Sequence, residues 1–459
     1  MKPHPAHFVV IIGGACAGSE AAAQLARRGI YSAVFDQKAL PYGKIEDGLP
    51  KWHIKLRDKE ERKIDEKLSS PYVHFVPLTK LGRDIEFQEI RSWKPSAILL
   101  ANGAWRDRPL PIEGIDQYVG KGLYYQNPFV EWFNHYHEPD YQGPQCEIQD
   151  GAIVIGGGLA SLDVVKILML ETTLRALRKR GYKTNLFELE QKGIPRVLEK
   201  LGVRWEELGL KGCTLFYRRR VIDMPISPVP PNATPERMQK VYEVRKKILA
   251  NFQRDYLFHF QECAAPVDKI VEGDRLAGIV FRKTKIVDGK IHYIPDSDFA
   301  VRAPLTISSI GSIPEPIPGI TSTGELYKIK DPETGQLEEY EDVFALGNAV
   351  TGRGNIRESE LHARKVVRHV MDQFLGWTEA DYQQLQHLLE SDGEALDRFA
   401  GQKRLLNVEH LNGLFEKVRA LQRRVGYDGD YQRWVQQHRP VRLEELLKQR
   451  GEWHETAEE

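Results

Sequence analysis

The apolar positions of this chain fall into short continuous runs bounded by breakers, the pattern of strands buried on both faces. Phe8-Val9-Val10-Ile11-Ile12 is the first run; small residues then turn the chain, and Ser19 to Arg28 contain no breaker and favour helix. A second run, Tyr31-Ser32-Ala33-Val34-Phe35, ends in Asp36. Residues 37 to 95 are polar and irregular apart from the extended run Val73-His74-Phe75-Val76-Pro77. Ala97-Ile98-Leu99-Leu100 then enters the small-residue turn Ala101-Asn102-Gly103-Ala104, after which Pro109, Pro111 and Gly114 break the chain.

The same logic is repeated further on. Gly151-Ala152-Ile153-Val154-Ile155 runs into a second glycine turn, and Leu162 to Leu168 has helical composition and spacing. A long helical stretch leads to the strand Gly212-Cys213-Thr214-Leu215-Phe216-Tyr217, and Val267 to Tyr293 alternates as antiparallel strands do. Leu305 to Gly311 and Val343 to Gly352 each read as a buried strand entering a glycine turn, like those of the first unit. This order predicts an α/β chain of two Rossmann-like, three-layer dinucleotide-binding domains with the second inserted in the first. The expected division is 1–118 with 305–378 for the outer domain and 119–304 for the inserted one, followed by a helical C-terminal extension over 379–459.

Two glycine fingerprints sit at the strand-to-helix turns, GGACAG at Gly13 to Gly18 and GGGLAS at Gly156 to Ser161. Such a turn lets backbone amides and a helix N-terminus face a pyrophosphate. In the first, Asp36 stands at the tip of the next strand, where a carboxylate accepts the ribose hydroxyls of an adenosine. The position at which a second glycine usually admits the pyrophosphate is Ala15, whose methyl takes up room. In the second, the acidic residue expected at the strand tip is replaced by Arg218-Arg219-Arg220. Guanidinium groups bind the 2′-phosphate of NADP by charge-assisted hydrogen bonds, so NADP(H) is expected over NAD(H).

The chain has 459 residues, enough for two or three domains, and its 65 lysines and arginines balance 65 aspartates and glutamates. No global basic field recommends nucleic acid as a partner. No apolar stretch approaches the roughly 20 residues that span a bilayer, and no signal or transit pattern precedes Phe8. A cytoplasmic protein is therefore expected. Cys16, Cys146, Cys213 and Cys263 form no C-x-x-C pair and no clustered ligand set, so neither a close dithiol nor a metal site is expected. Cys16 lies at a helix N-terminus that can depress a thiol pKa, but its small apolar neighbours favour a packed thiol.

With these landmarks in place, the chain resembles the adrenodoxin-reductase-type ferredoxin–NADP reductases and, more distantly, the small subunit of glutamate synthase. The resemblance runs from about residue 8 to about residue 375 and is carried in order by GGACAGSEAA, ALPYGK, LGRDIE, LLANGAW, FVEWFN, AIVIGGGLASLDVVKIL, FYRRRVIDMP, LTISSIG and VFALGNAVTGRGNI. It implies that the outer domain holds FAD and the inserted domain NADPH. Carried over by position, Gly13, Gly14, Ala15 and Gly18 would line the FAD pyrophosphate and Asp36 the ribose. Lys44, Thr79, Asn102 and Gly103 would complete that side, Gly347 and Asn348 would meet the ribityl-diphosphate portion, and Gly354, Asn355 and Ile356 would bring backbone amides to the flavin ring. Asn348 stands where related flavoproteins have aspartate, and an amide can still hydrogen-bond a ribityl hydroxyl. Gly156, Gly158, Leu159 and Ala160 would contact the NADPH pyrophosphate, and Arg218 and Arg219 its 2′-phosphate. The last eighty or so residues match the family poorly.

The resemblance implies an FAD-dependent oxidoreductase that takes hydride from NADPH and passes electrons to an acceptor, in the first place a small acidic iron–sulfur protein of ferredoxin type. Hydride transfer needs no obligatory acid–base side chain, so no catalytic residue is assigned. His53, His74 and His362 are candidates for proton handling, each also readable as an ordinary satisfied polar residue. Two basic stretches could dock an acidic partner, Arg245-Lys246-Lys247 with Arg254 and Arg175-Arg178-Lys179-Arg180, or could be solvated helix faces. Direct reduction of a small molecule such as a quinone, an electron-input role in a larger complex, and a non-enzymatic FAD-binding module are the alternatives.

Overall fold

The computed structural model describes residues 7–230, 232–352, 355–376 and 406–453. The chain forms two compact units. The first comprises Met1–Leu49, Ile54–Arg106 and Ser312–Pro440; the second comprises Pro50–His53, Asp107–Gly311 and Val441–Glu459.

In chain order, the first unit opens with β1 (Phe8–Ile12), α1 (Cys16–Arg27), β2 (Tyr31–Phe35), β3 (Val73–Val76) and β4 (Ala97–Leu100). The second contributes β5 (Leu123–Tyr125), β6 (Ile153–Gly156), α2 (Leu159–Lys179), β7 (Thr214–Phe216), α3 (Pro235–Tyr256), β8 (His259–Gln261), β9 (Ala264–Glu272), β10 (Arg275–Val287), β11 (Lys290–Arg302) and β12 (Thr306–Ser309). The chain returns to the first unit with β13 (Ile329–Asp331), β14 (Gln336–Leu337), β15 (Val343–Ala345) and α4 (Ile356–His369), and later α5 (Val408–Arg424) and α6 (Tyr431–His438).

The first unit is built on a seven-stranded sheet of order β13-β14-β15-β4-β1-β2-β3. Its β15-β4-β1-β2-β3 portion is parallel, with Ile12 paired to both Phe35 and Leu100. All five residues of β1 are buried. Val9 and Ile11 pack into a cluster with Ala21, Ala22 and Leu25 of α1, whereas Phe8, Val10 and Ile12 pack on the other side with Phe35, Val76 and Leu100. Burial of both faces is why β1 reads as an uninterrupted apolar run. The second unit has a parallel five-stranded sheet of order β5-β12-β6-β7-β8 and an antiparallel sheet β9-β10-β11.

The units divide at Arg106/Asp107 and Gly311/Ser312, whereas the expected breaks were after residue 118 and before residue 305. Leu110, Ile112 and Ile115 are drawn into the core of the second unit with Leu123 and Ile153. The strand expected to reopen the outer domain, β12, lies between β5 and β6, with Ser308 paired to Ile155 and to Tyr125. A strand buried on both faces carries the same pattern in either sheet, so its own residues do not say which it joins. The expected C-terminal extension is likewise no separate domain in its described part. Through Pro440 it belongs to the first unit, where Leu411, Leu414, Val418, Tyr427, Tyr431 and Trp434 enter the core, and from Val441 it belongs to the second, where Trp453 packs on Phe187.

Candidate cofactor sites

At the end of β1 the chain turns at Gly13 with φ of 99°, and its N–H donates to the Phe35 carbonyl at 2.7 Å. A Cβ on Gly13 would stand 2.5 Å from the Ala101 oxygen, and one on Gly18 would stand 1.7 Å from the Gly13 oxygen. Neither position can carry a side chain without moving backbone. α1 begins immediately afterwards with Ala15 as N-cap, and no side chain caps it. Its first-turn amides are therefore open to an external acceptor, as an anion at a helix N-terminus requires.

Asp36 closes this turn from the tip of β2. Its Oδ2 accepts the Gly14 N–H at 2.9 Å and its Oδ1 the Lys38 N–H at 3.0 Å. Burial pushes its pKa up to about 6, and these two amide bonds oppose that rise. The Lys38 ammonium pairs with Asp47 at 2.8 Å, and its charge also favours the Asp36 carboxylate. The Ala15 methyl points at Gly43.

Thr79 braces the end of β2, its N–H donating to Asp36 O at 2.8 Å and its hydroxyl to Pro77 O at 2.9 Å. Lys44 donates to Ser312 Oγ at 3.1 Å and lies 5.8 Å from the Trp105 ring centroid. Asn102 donates through Nδ2 to the Tyr327 hydroxyl at 2.8 Å, while its Oδ1 is buried with no hydrogen-bond partner among the described residues. Gly103, with φ of 65°, borders open space. Gly347 packs so closely that a Cβ there would come within 2.7 Å of Ala17 Cβ, and the next residue, Asn348, also holds a buried Oδ1 without a hydrogen-bond partner among the described residues. Asn355 caps α4 by accepting the Arg357 and Glu358 N–H groups, Ile356 begins that helix, and Gly354 lies outside the described residues.

In the second unit β6 ends at Gly156, where a Cβ would lie 2.4 Å from Ser309 O; at Gly157 it would meet the Tyr217 ring at 2.2 Å. Gly158, by contrast, has nothing within 4 Å of that position. The first two glycines answer to packing and the third borders the open side of the turn. α2 starts at Leu159 with Gly158 as N-cap and no side-chain cap, while Leu159 is exposed and Ala160 half-buried. Ser161, at the third fingerprint position, donates to Gly158 O at 2.6 Å.

The three arginines after β7 are not equivalent. Arg220 makes a two-pronged bond to Asp223, Nε to Oδ2 at 3.0 Å and Nη2 to Oδ1 at 3.1 Å. Arg219 donates to the Gly289 carbonyl at 3.1 Å and lies 3.8 Å from Asp223. Arg218 is exposed and its guanidinium has no partner among the described residues, while its carbonyl accepts from Thr284 Oγ1 at 2.8 Å. Asp223, which sorts the triplet, lies within the same FYRRRVIDMP segment.

The other candidates separate as well. His362 accepts the Gly347 N–H at Nδ1, 3.1 Å, and donates from Nε2 to Pro332 O at 3.1 Å, which fixes a neutral tautomer and makes it a clamp. Burial lowers the pKa of both His53 and His74 to about 4, with Lys166 and Arg419 respectively adding to the effect. Burial pushes the Cys16 thiol up to about 12, so this thiol is packed and not activated. All four cysteines are free. Of the basic stretches, Arg245 is buried and holds Ile222 O and Ser227 O, and Arg180 holds Ala176 O and Glu207 O; both guanidiniums serve their own unit.

No family model matches the chain. The mitochondrial NADPH:adrenodoxin oxidoreductase of Arabidopsis thaliana is 26% identical over 354 residues, covering 69% of each chain. The NADPH-ferredoxin reductase FprA of Mycobacterium leprae is 28% identical over 204 residues, covering 39% of this chain and 42% of its own length. The structure of Mycobacterium tuberculosis FprA in complex with NADPH superposes with a TM-score of 0.65 at 17% identity, over 91% of both chains. The chain has the fold of FprA. Its likeness to the adrenodoxin-reductase-type proteins, read first from the order of motifs, is borne out by these relatives.

Proposed function

We propose that the chain is an FAD-dependent oxidoreductase that takes hydride from NADPH and passes electrons to a small iron–sulfur protein of ferredoxin type. The observation that carries this reading is the pairing of two uncapped helix N-termini in two separate units, one completed by a buried acid and the other by a free arginine. The names of the sequence relatives, reductases of adrenodoxin and of ferredoxin that use NADPH, agree with it.

The residues present fit FAD in the first unit. The first-turn amides of α1 would hold the pyrophosphate, and Asp36 keeps lone pairs for ribose hydroxyls. The Oδ1 atoms of Asn102 and Asn348, unpartnered among the described residues, are buried acceptors that a hydroxyl or N–H group of a bound flavin would satisfy. When bound, FAD supplies acceptance of a hydride and release of electrons one at a time. In the second unit the amides at the start of α2 would hold the NADPH pyrophosphate, and Arg218 would bind the 2′-phosphate without first breaking a bond.

Protein groups here bind and orient; none is required to move a proton for hydride transfer. Among the described residues no helix is long and apolar enough to cross a membrane, and we place the enzyme in the cytoplasm as part of this proposal.

The test is anaerobic reduction of the FAD-reconstituted chain by NADPH and by NADH, followed by mixing with ferredoxins, quinones and disulfides. Rapid bleaching of the flavin by NADPH and turnover with a ferredoxin are expected. A chain that retains no flavin sinks the FAD assignment, and turnover confined to quinones replaces the acceptor.

A further inference from the structure

The segment between Asp36 and Lys44 forms a wall of the first glycine turn, and it contains neither helix nor strand. A Cβ on Gly14 would stand 2.6 Å from Pro41 of this loop, and one on Gly43 would stand 2.9 Å from Ala15. On its other side the loop is held by α6, far along the chain. Trp434 Nε1 donates to the Ala39 carbonyl at 2.8 Å. Tyr431 donates to Asp65 Oδ1 at 2.8 Å, and the same carboxylate accepts the Tyr42 hydroxyl at 3.1 Å from either oxygen. Tyr42, Tyr431 and Trp434 are all buried. The Trp434 ring is itself packed, with Tyr427 edge-on at 5.3 Å and His438 stacked at 3.8 Å.

From this geometry we propose that Trp434 and Tyr431 are positioning residues for the FAD site, acting through the loop Ala39–Lys44 and not by touching the cofactor. The proposal rests on the reading of the first glycine turn as the FAD site. A loop without ladder hydrogen bonds opens at low cost unless its carbonyls and side chains are tied elsewhere. The tryptophan N–H ties the backbone at Ala39, and the Tyr–Asp–Tyr bridge ties the side chain at Tyr42. Together they keep Pro41 and Gly43 against the fingerprint before the cofactor arrives, so binding does not have to order them.

The experiment uses the full chain reconstituted with FAD. Trp434→Phe keeps the ring and removes the N–H; Tyr431→Phe keeps the ring and removes the hydroxyl. The rate of FAD release is followed by the recovery of flavin fluorescence on dilution, and the melting temperature is measured with and without FAD. Each variant should release FAD on the order of tenfold faster, the scale of one hydrogen bond, and should narrow the gap between holo and apo melting temperatures. Affinity for NADPH should stay at the wild-type value. Trp453→Phe, in the second unit, serves as control and should release FAD at the wild-type rate.

If the wild-type chain binds no FAD, the functional reading fails and this inference goes with it. If the wild type binds FAD and both variants release it at the wild-type rate, the positioning role is wrong and the cofactor assignment stands. Equal falls in holo and apo melting temperature with unchanged release would make the two residues structural only, and would also overturn the proposal.

Discussion

The methyl of Ala15 occupies the space that a side chain at Gly43 would need: a Cβ built on Gly43 falls 2.9 Å from Ala15 Cβ. The alanine in the first fingerprint, which looked like an obstruction to a pyrophosphate, is accommodated by a glycine outside the motif. Gly43 also has φ of 54°, so it is the residue type that this loop demands on two counts.

Gly43→Ala should therefore weaken FAD binding and destabilise the first unit. The backbone at φ of 54° and ψ of −132° costs a residue with a Cβ about 1–3 kcal/mol, and the added methyl costs about 1–3 kcal/mol more through overpacking. Ala15→Gly in the same chain should recover the packing part and leave the backbone part. A double-mutant cycle on apoprotein unfolding measures the coupling, and strict additivity would show that the two side chains do not compete for space.

The Arg218 guanidinium has no partner among the described residues, whereas Arg220 is engaged by Asp223. Arg218→Ala should lower affinity for NADPH by about 1–3 kcal/mol, the scale of hydrogen bonds to charged groups, and leave NADH unchanged. Arg220→Ala should have a smaller effect. Titration calorimetry with both nucleotides separates these cases; equal loss for NADH at Arg218 would remove the 2′-phosphate role.

Asp36 should make FAD binding sensitive to mild acid. Its pKa is pushed up to about 6 by burial, so the carboxylate is ionised at pH 7.5 and becomes half protonated near pH 6. The affinity of the apoprotein for FAD should fall as pH drops from 7.5 to 5, because a protonated carboxyl is a weaker acceptor for ribose hydroxyls. Asp36→Asn should bind FAD more weakly at pH 7.5 and lose this part of the pH dependence. A variant profile parallel to the wild type would assign the dependence to another group.

Lys51 should make stability rise with pH. Its side chain is buried against the rings of Phe133 and Tyr136, 4.4 and 4.3 Å from their centroids, and desolvation lowers its pKa to about 7, with Glu171, Glu444 and Glu138 opposing. The folded pKa lies below the unfolded value, so the unfolded chain binds more protons between about pH 7 and pH 10.5. This group thus costs most stability below pH 7, and the cost fades as pH rises through that window. Lys51→Met should stabilise the protein at pH 7 and lose that advantage toward pH 10. Urea midpoints at both values check the sign.

The two glycine turns, the strand before each, Asp36 and the arginine triplet were legible in the amino-acid sequence, because each is a local pattern whose chemistry sits in consecutive residues. So was the antiparallel pair β9-β10, from the alternation of Val267 to Tyr293, which reaches only the first residues of β11. Tertiary structure decided matters that depend on partners distant along the chain. Thr306–Ser309 reads as the same buried strand in either sheet, and only its pairing with Ile153–Gly156 assigns it to the second unit. The three arginines are identical as letters, and the fold separates them: Arg219 reaches the Gly289 carbonyl, 70 positions further on, while the Arg218 guanidinium has no partner among the described residues. Gly43 carries no signal of Ala15, nor Trp434 of Ala39, until the fold brings them together, since a hydrogen bond or a steric contact depends on distance in space and not on separation in sequence.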